Sequence, residues 1–507
     1  MSQTTECMKQ ALSHHRAGRL QKAEAMYQAV LGQVPGHADA LHLVGLLAHQ
    51  QGRHDEATRQ IEEAIAANSG VASYHNNLGA AHRAAGRYER AANSFGEAIS
   101  LQPAMASAWS NLLGVLSEQG HSHAMTQVLE AWVVASGCAP EVVQQRAAHR
   151  YAVGDLEGAI ADHASVAAHR PSDPIPCLHR AVLAHERGDD ATALQSLRDA
   201  QDRFFESEQL GSATVQSKLN HDIEQIQWLV GQGMVESGWL EIAEAYRTVK
   251  RTLYGNGEGS LEGRSLDPRM SKTIGRWYNR PIHVVDCPAL GGGALDSTWT
   301  AEAVEGRYRA SAPGVTWIDG LLRDDALHQL RRFCLGSTIW TDFKYSGGYV
   351  GTALSSGFAN GLLLQIAREL RERLPGLLGP HPLREMWAYK YDQALTGIGV
   401  HADAAAVNVN FWITPDEANL DLNSGGLRVW RKCAPLEWDF ESFNRRPEKL
   451  MEWVKASGAE EVTISHRCNR AVLFDSNLVH RTDDFQFAPG FENRRINITM
   501  LFGGRGD

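Results

Sequence analysis

The chain reads as an α+β multidomain protein, with an all-α solenoid of helical repeats at the N-terminus and a β-barrel of jelly-roll type after it. Two observations predict the solenoid. Glycines recur at Gly18, Gly52, Gly86, Gly120, Gly154 and Gly188, a constant step of 34 residues. Alanines follow each of these at the same offset, at Ala23, Ala57, Ala91, Ala159 and Ala193, with Met125 in the fourth unit. A third observation predicts the barrel. From about residue 270 the helical spacing gives way to short apolar and alternating runs bounded by turn residues, and these runs frame His401, Asp403 and His480.

Within each repeat the physics specifies helix, turn, helix. The glycine falls near the end of the first helix, where a left-handed turn is easiest for it. The alanine falls where the two helices approach closely. Leu41, Val44 and Gly45, then Leu78 and Gly79, then Trp109 and Leu112 occupy the first-helix core positions of successive units. Pro35, Pro103 and Pro171 close three of the units. A unit of this kind cannot bury its apolar face alone, so the units stack into a superhelix with a concave face. The period and its markers resemble the tetratricopeptide (TPR) family, and the resemblance covers residues 4–207 as six repeats. Repeats four and five depart from the pattern, with Arg146 and His163 at positions usually apolar. That predicts either a loosened solenoid or a surface used for binding.

Residues 208–253 keep helical spacing and read as a helix pair capping the last repeat. The run Tyr254-Gly-Asn-Gly-Glu-Gly-Ser-Leu-Glu-Gly then reads as a flexible linker, placed over 254–269. The second domain spans 270–507. Gly314–Asp319 reads as a strand, Asp324–Leu335 and Leu362–Leu374 as helices, and Met386–Tyr391 as a strand leading to the first histidine. Asn408–Thr414 alternates polar and apolar residues as a barrel strand should, so that Asn408, Asn410 and Trp412 share a face that could line a pocket. Ser424–Trp430 reads as a turn and a strand. Residues 431–461 form a long insertion holding Trp438, Phe440, Phe443 and Trp453, which either covers a site or packs on the barrel.

The chemistry concentrates between His401 and Arg495. His401 and Asp403 are two apart, a spacing that in a strand puts both side chains on one face. His480 follows the apolar strand Arg470–Asp475 and the turn Ser476-Asn477. Two imidazoles and one carboxylate on one side of an ion make the facial triad of non-haem Fe(II) oxygenases. Strand, turn and ligand together suggest a double-stranded β-helix. Arg495, on the next strand, could grip a carboxylate bidentately. Arg494 is its rival, and strand parity with Asn497 and Thr499 favours Arg495. The order H-x-D, H, R resembles the 2-oxoglutarate/Fe(II)-dependent dioxygenase superfamily. The tail Arg495-x-Asn497-x-Thr499 is similar to the closing strand of its AlkB-type members.

That resemblance implies Fe(II), 2-oxoglutarate and O2 as cofactor and co-substrates. His401, Asp403 and His480 would be the metal ligands and the catalytic centre. Arg495 and Asn497 would hold 2-oxoglutarate, and Tyr391 or Tyr389 would hydrogen-bond one of its carboxylates. Because Asp403 is present, hydroxylation is favoured over halogenation. Three functions are weighed. The first is a hydroxylase whose TPR domain docks a polypeptide substrate or partner on its concave face. The others are a small-molecule biosynthetic oxygenase and a TPR scaffold with an inactive barrel.

Composition sets the outer bounds. With 49 basic and 59 acidic residues the net charge is −10, which argues against a general affinity for nucleic acid. The seven cysteines are scattered without a C-x-x-C pair, so a reducing, cytoplasmic setting is expected rather than a disulfide framework. The N-terminus lacks a signal-peptide pattern and no apolar run suggests a membrane span.

Overall fold

The computed structural model describes residues 3–207, 213–255, 257, 260, 262–343, 348–392 and 397–506. Asn256, Glu258, Gly259 and Leu261, within the expected linker, lie outside the described residues. The chain divides into two compact units, Met1–His169 and Arg170–Asp507.

The first unit is built of paired antiparallel helices from Gln3–Arg16 to Leu156–His169. Their repeat comes from one local device. Gly18, Gly52, Gly86, Gly120 and Gly154 all sit at φ between +67° and +84°. Each ends its helix in the left-handed conformation, so that the residue after it bonds back to a carbonyl five positions earlier, as in Arg19 N–H to His14 O and Arg53 N–H to Ala48 O. Ala23, Ala57, Ala91 and Ala159 are wholly buried where the paired helices touch. Gly45 and Gly79 mark the closest approaches. A Cβ on Gly79 would lie 2.6 Å from the Phe95 ring. Successive repeats are stitched by polar pairs 35 residues apart, such as Asn77 Nδ2 with His42 Nε2 at 2.8 Å and Asn111 Nδ2 to Asn76 Oδ1 at 3.0 Å.

Arg146 is not a sign of loosening. Its Nε and Nη2 donate to Asp162 at 3.0 and 2.6 Å, and Arg150 Nη1 reaches the same carboxylate at 3.0 Å. The degenerate fifth repeat exchanges an apolar contact for a nearly buried ion pair.

In the second unit the helices Ile175–Glu186 and Asp190–Ser207 come first, and Asp190 pairs with Arg368 on the helix Gly361–Arg373. Two short strands, β1 (Ala213–Thr214) and β2 (Arg264–Ser265), pair antiparallel. The helices Gln216–Gly231 and Leu240–Tyr254 share one core with Leu266, Ile274 and Tyr278. The remaining strands are β3 (Val315–Asp319), β4 (Tyr349–Ala353), β5 (Leu383–Tyr391), β6 (Val407–Trp412), β7 (Leu427–Cys433), β8 (Glu461–Ile464), β9 (Arg470–Asp475), β10 (Leu478–Thr482) and β11 (Ile496–Phe502). Among the described residues they form two antiparallel sheets, a six-stranded one in the order β3-β9-β6-β11-β5-β4 and a three-stranded one in the order β10-β7-β8.

The sheets pack face to face. Val315, Trp412, Val472 and Phe474 of the larger meet Leu427, Val429, Ile464 and Leu478 of the smaller. The other face of the large sheet is roofed by helices. Lys390 Nζ, on β5, donates to Cys334 O of the helix Asp324–Gly336 at 3.1 Å, and Gln225 of Gln216–Gly231 ties to the end of the same helix through Leu335 O and Ser337 O at 3.0 and 2.9 Å. Hence β6 is buried on both faces, and its polar–apolar alternation separates an inter-sheet face from a helix-covered face rather than core from solvent.

Asp162→Ala should leave Arg146 without its buried counter-charge and Arg150 with only the more exposed Asp155 and Glu130, at 3.5 and 4.0 Å. We expect a loss of about 2–4 kcal/mol. It would be read by urea unfolding and by faster amide exchange confined to Pro140–Ala152 and Leu156–His169. Unchanged exchange there would exclude the ion pair as the lock of this repeat.

Candidate metal centre

The two histidines are joined through the backbone. His401 lies outside the named strands, and it forms an isolated antiparallel bridge with His480 of β10, each N–H donating to the other's carbonyl at 2.9 Å. Asp403 N–H then donates to Ser476 O at 2.9 Å. Sequence reasoning expected a strand over His401–Asp403; the alignment comes instead from this bridge and the loop it anchors.

The side chains converge. One ligand atom from each of His401, Asp403 and His480 can be chosen so that all lie within 4.8 Å of one another. His401 Nε2 is 3.7 Å from Asp403 Oδ1, and His480 Nε2 is 3.4 Å from Asp403 Oδ2. Both Nδ1 atoms face backbone carbonyls, Gly399 O at 2.8 Å for His401 and Leu478 O at 2.9 Å for His480. A carbonyl only accepts, so each Nδ1 carries the proton and each Nε2 keeps a lone pair aimed at the common point. Asp403 is 5% exposed, and Asn408 Nδ2 donates to its Oδ2 at 2.6 Å.

The electrostatics suit ligand groups. Burial and then the neighbouring His480 pull the His401 imidazole down to about 4, so it is neutral at pH 7. For Asp403 burial alone would raise the carboxyl. Contact with His480 and His401 and the donated Asn408 amide outweigh that and hold it below its ordinary value. Two imidazole nitrogens with free lone pairs and a carboxylate form a donor set that fits a divalent metal such as Fe(II). His401 retains 15% of its side-chain exposure, so the centre is reachable.

Arg495 and Arg494 point apart. Arg494 Nε pairs with Glu224 Oε2 at 2.9 Å, on the helix-covered side. Arg495 is 2% exposed and turns between the sheets. Its Nε and Nη2 donate to Gly425 O and Gly426 O at 2.6 and 3.1 Å, and its guanidinium lies 4.6 Å from the Tyr391 ring and 5.7 Å from those of Trp412 and Phe485. Gly426 itself permits the close approach of β8, since a Cβ there would fall 1.8 Å from Ile464 O. Arg495 Nη1 has no hydrogen-bond partner among the described residues, nor do Trp412 Nε1 and Asn497 Oδ1. Burial pulls the guanidinium below its ordinary value, with Tyr391 and Asp483 opposing. Tyr389 and Tyr391 share one face of β5, with Tyr391 beside Arg495 and Tyr389 packed on Tyr349 with ring centres 5.0 Å apart.

Three groups escaped sequence reasoning. Within the insertion, Phe443 O accepts from Ala402 N–H and Asn444 Nδ2 donates to Ala402 O, both at 2.9 Å, gripping the residue between two triad members. Arg505 ties this insertion down, donating to Trp438 O at 2.8 Å and to Asn477 Oδ1 at 2.8 Å. His466 is 4% exposed, neither ring nitrogen has a hydrogen-bond partner among the described residues, and burial followed by the Arg495 charge pulls it down to about 3. Nothing local in the sequence distinguishes these residues. The aromatics of the insertion were the one available signal.

Comparison with known proteins supports the N-terminal region. Tetratricopeptide repeat models match residues 8–73 and 72–104, so the N-terminal region carries TPR repeats. Among solved structures, Pseudomonas aeruginosa PilF is 20% identical, with 40% of this chain and 93% of that one covered and a TM-score of 0.30. A mutant Thermobaculum terrenum O-GlcNAc transferase is 32% identical over 26% of this chain and 27% of its own, at a TM-score of 0.24. YrrB, described as a TPR protein with an unusual peptide-binding site, is 17% identical over 35% and 91%, at 0.28. No curated protein matches the chain. No helix among the described residues is long and apolar enough to cross a membrane.

Removing the Asn408 amide frees Asp403 to rotate. Asn408→Ala should weaken Co(II) or Fe(II) binding about 10- to 100-fold while the fold persists. Isothermal titration on anaerobic protein checks this, and wild-type affinity in the variant would mean that Asn408 does not orient the carboxylate.

Proposed function

We propose that the chain is an Fe(II)- and 2-oxoglutarate-dependent oxygenase of double-stranded β-helix type, acting as a hydroxylase, whose TPR region docks a polypeptide substrate or partner. The observation that carries the reading is the convergence of His401 Nε2, His480 Nε2 and Asp403, with both tautomers set by backbone carbonyls. The two facing antiparallel sheets support the jelly-roll assignment.

In this reading the chain's own groups divide the work. His401, His480 and Asp403 would hold the metal. Arg495 holds the far carboxylate of 2-oxoglutarate with Nη1, which has no partner among the described residues, while Gly425 O and Gly426 O fix the plane of the guanidinium. Tyr391, Trp412 and Phe485 exclude water from that ion pair, and Asn497 lines the same face. Bound Fe(II) with 2-oxoglutarate and O2 supplies oxidation of a C–H bond coupled to release of succinate and CO2. The TPR region supplies what the barrel lacks, a long surface for a polypeptide, as TPR proteins offer to peptides.

Arg495→Ala should raise the 2-oxoglutarate requirement about 30-fold or more while metal binding persists. Arg494→Ala, which loses the Glu224 and Asp392 pairs, should change it far less. Succinate release against 2-oxoglutarate concentration reads both. The reverse ranking, or no 2-oxoglutarate consumption by metal-loaded wild type, would end this reading.

A further inference from the structure

One strip of the large sheet opens beside the triad. On β5 the even residues Met386, Ala388 and Lys390 are buried under the helices. The odd residues face the other way, with Glu385 exposed and Trp387 and Tyr389 half-buried. Their rings form a continuous surface. Trp387 lies 6.4 Å from Tyr389, and Tyr389 lies 5.0 Å from Tyr349 on β4. Gly351 makes room for it, since a Cβ there would sit 2.8 Å from the Tyr389 ring.

Strand register ties this strip to the metal centre. Leu501 pairs with Glu385 on one side and with Asn408 on the other, and Asn408 is the residue bonded to Asp403. Glu385 therefore lies in the row of Asn408, two strands away, about 10 Å. Thr499 pairs likewise with Trp387 and Asn410, and Asn497 with Tyr389 and Trp412.

Three polar groups on this face are acceptors left without donors. Asn408 Oδ1, Asn410 Oδ1 and Asn497 Oδ1 are buried and have no partner among the described residues. For Asn408 the orientation is settled by its neighbour, because only the amide nitrogen can donate to the Asp403 carboxylate. A carboxylate, aromatic faces and unmet acceptors all call for the same thing, a positively charged group rich in N–H donors.

We propose that this strip is the substrate subsite and that it takes the guanidinium side chain of an arginine residue in a polypeptide, a proposal that rests on the oxygenase reading above. The planar fork of a guanidinium carries five donors, reaches acceptors in neighbouring rows and stacks on aromatic rings, where an ammonium offers three donors from a point. An acidic side chain is repelled by Glu385 and Asp403, and an apolar one leaves the three carbonyl oxygens unmet. The net charge of −10 favours encounter with a basic peptide.

The test uses the full-length protein and two acetylated, amidated pentapeptides, Gly-Gly-Arg-Gly-Gly and the same peptide with citrulline, which keeps the shape and removes the charge. Binding is followed by calorimetry with and without Co(II) and 2-oxoglutarate. The arginine peptide should bind about tenfold more tightly than the citrulline peptide. Glu385→Gln should abolish that preference, and Trp387→Leu should weaken the arginine peptide alone. Equal binding of the two peptides by wild type, or a full preference retained in Glu385→Gln, overturns the proposal. Co(II) absorption on the same samples reports the metal centre by itself. A missing Co(II) site would sink the oxygenase reading, while the peptide preference would still be judged on the calorimetry.

Discussion

Everything around the candidate centre follows from burying one carboxylate between two imidazoles. A buried ionised carboxylate is costly unless its lone pairs are taken up. Asp403 meets part of that demand with the Asn408 amide, the two imidazole Nε2 atoms stand 3.4 and 3.7 Å from its oxygens, and its own N–H is held by Ser476 O. The histidines are in turn fixed at Nδ1 by backbone carbonyls, which leaves one free lone pair on each ring. A second layer clamps the intervening Ala402 from both sides of its peptide, with Phe443 O on its N–H and Asn444 on its carbonyl. That gives the insertion, residues 431–461, a mechanical role. It steadies the loop that carries two of the three triad members, and Arg505 fastens the insertion to Asn477 beside the third.

The same logic governs β5. Its two faces carry residues of opposite character, and a slip of one residue would exchange them. Lys390 points into the helix-covered side at 0% exposure, where its Nζ donates to Cys334 O at 3.1 Å and lies 4.3 Å from the rings of Trp340 and Phe491. Burial drives this amine well below its ordinary value. Tyr389 and Tyr391 then fall on the face of the cleft and of Arg495. Register also separates Arg494 from Arg495. The first is committed to Glu224 on the helix Gln216–Gly231, which leaves the second for the space between the sheets.

In the TPR region the constraint is steric and local. Each left-handed glycine turns the chain at a fixed point, and each buried alanine lets the next helix approach. That is why the pattern survives in the fifth repeat. There the apolar core gives way to Arg146, Arg150 and Asp162, yet Gly154 and Ala159 hold the same positions as in the other units.

The sequence by itself determined what depends on short-range geometry. A step of 34 residues between glycines sets the helical pairs, because each glycine acts on its own turn. Alternation and turn residues placed β3, β6 and β9 within a residue or two, because a strand reports its two faces through its own side chains. The spacing of His401, Asp403 and His480 singled out three donor groups. Tertiary structure decided what depends on partners far apart in the chain. It supplied the bridge that joins His401 to His480, the hold of Asn444 on Ala402, the two carbonyls that orient Arg495, and the burial of His466 and Lys390. None of these is legible locally, since Asn444 or Lys390 would look the same on any solvated surface. Each acquires its role only when a remote backbone group, brought in by packing, is the one remaining partner it can reach.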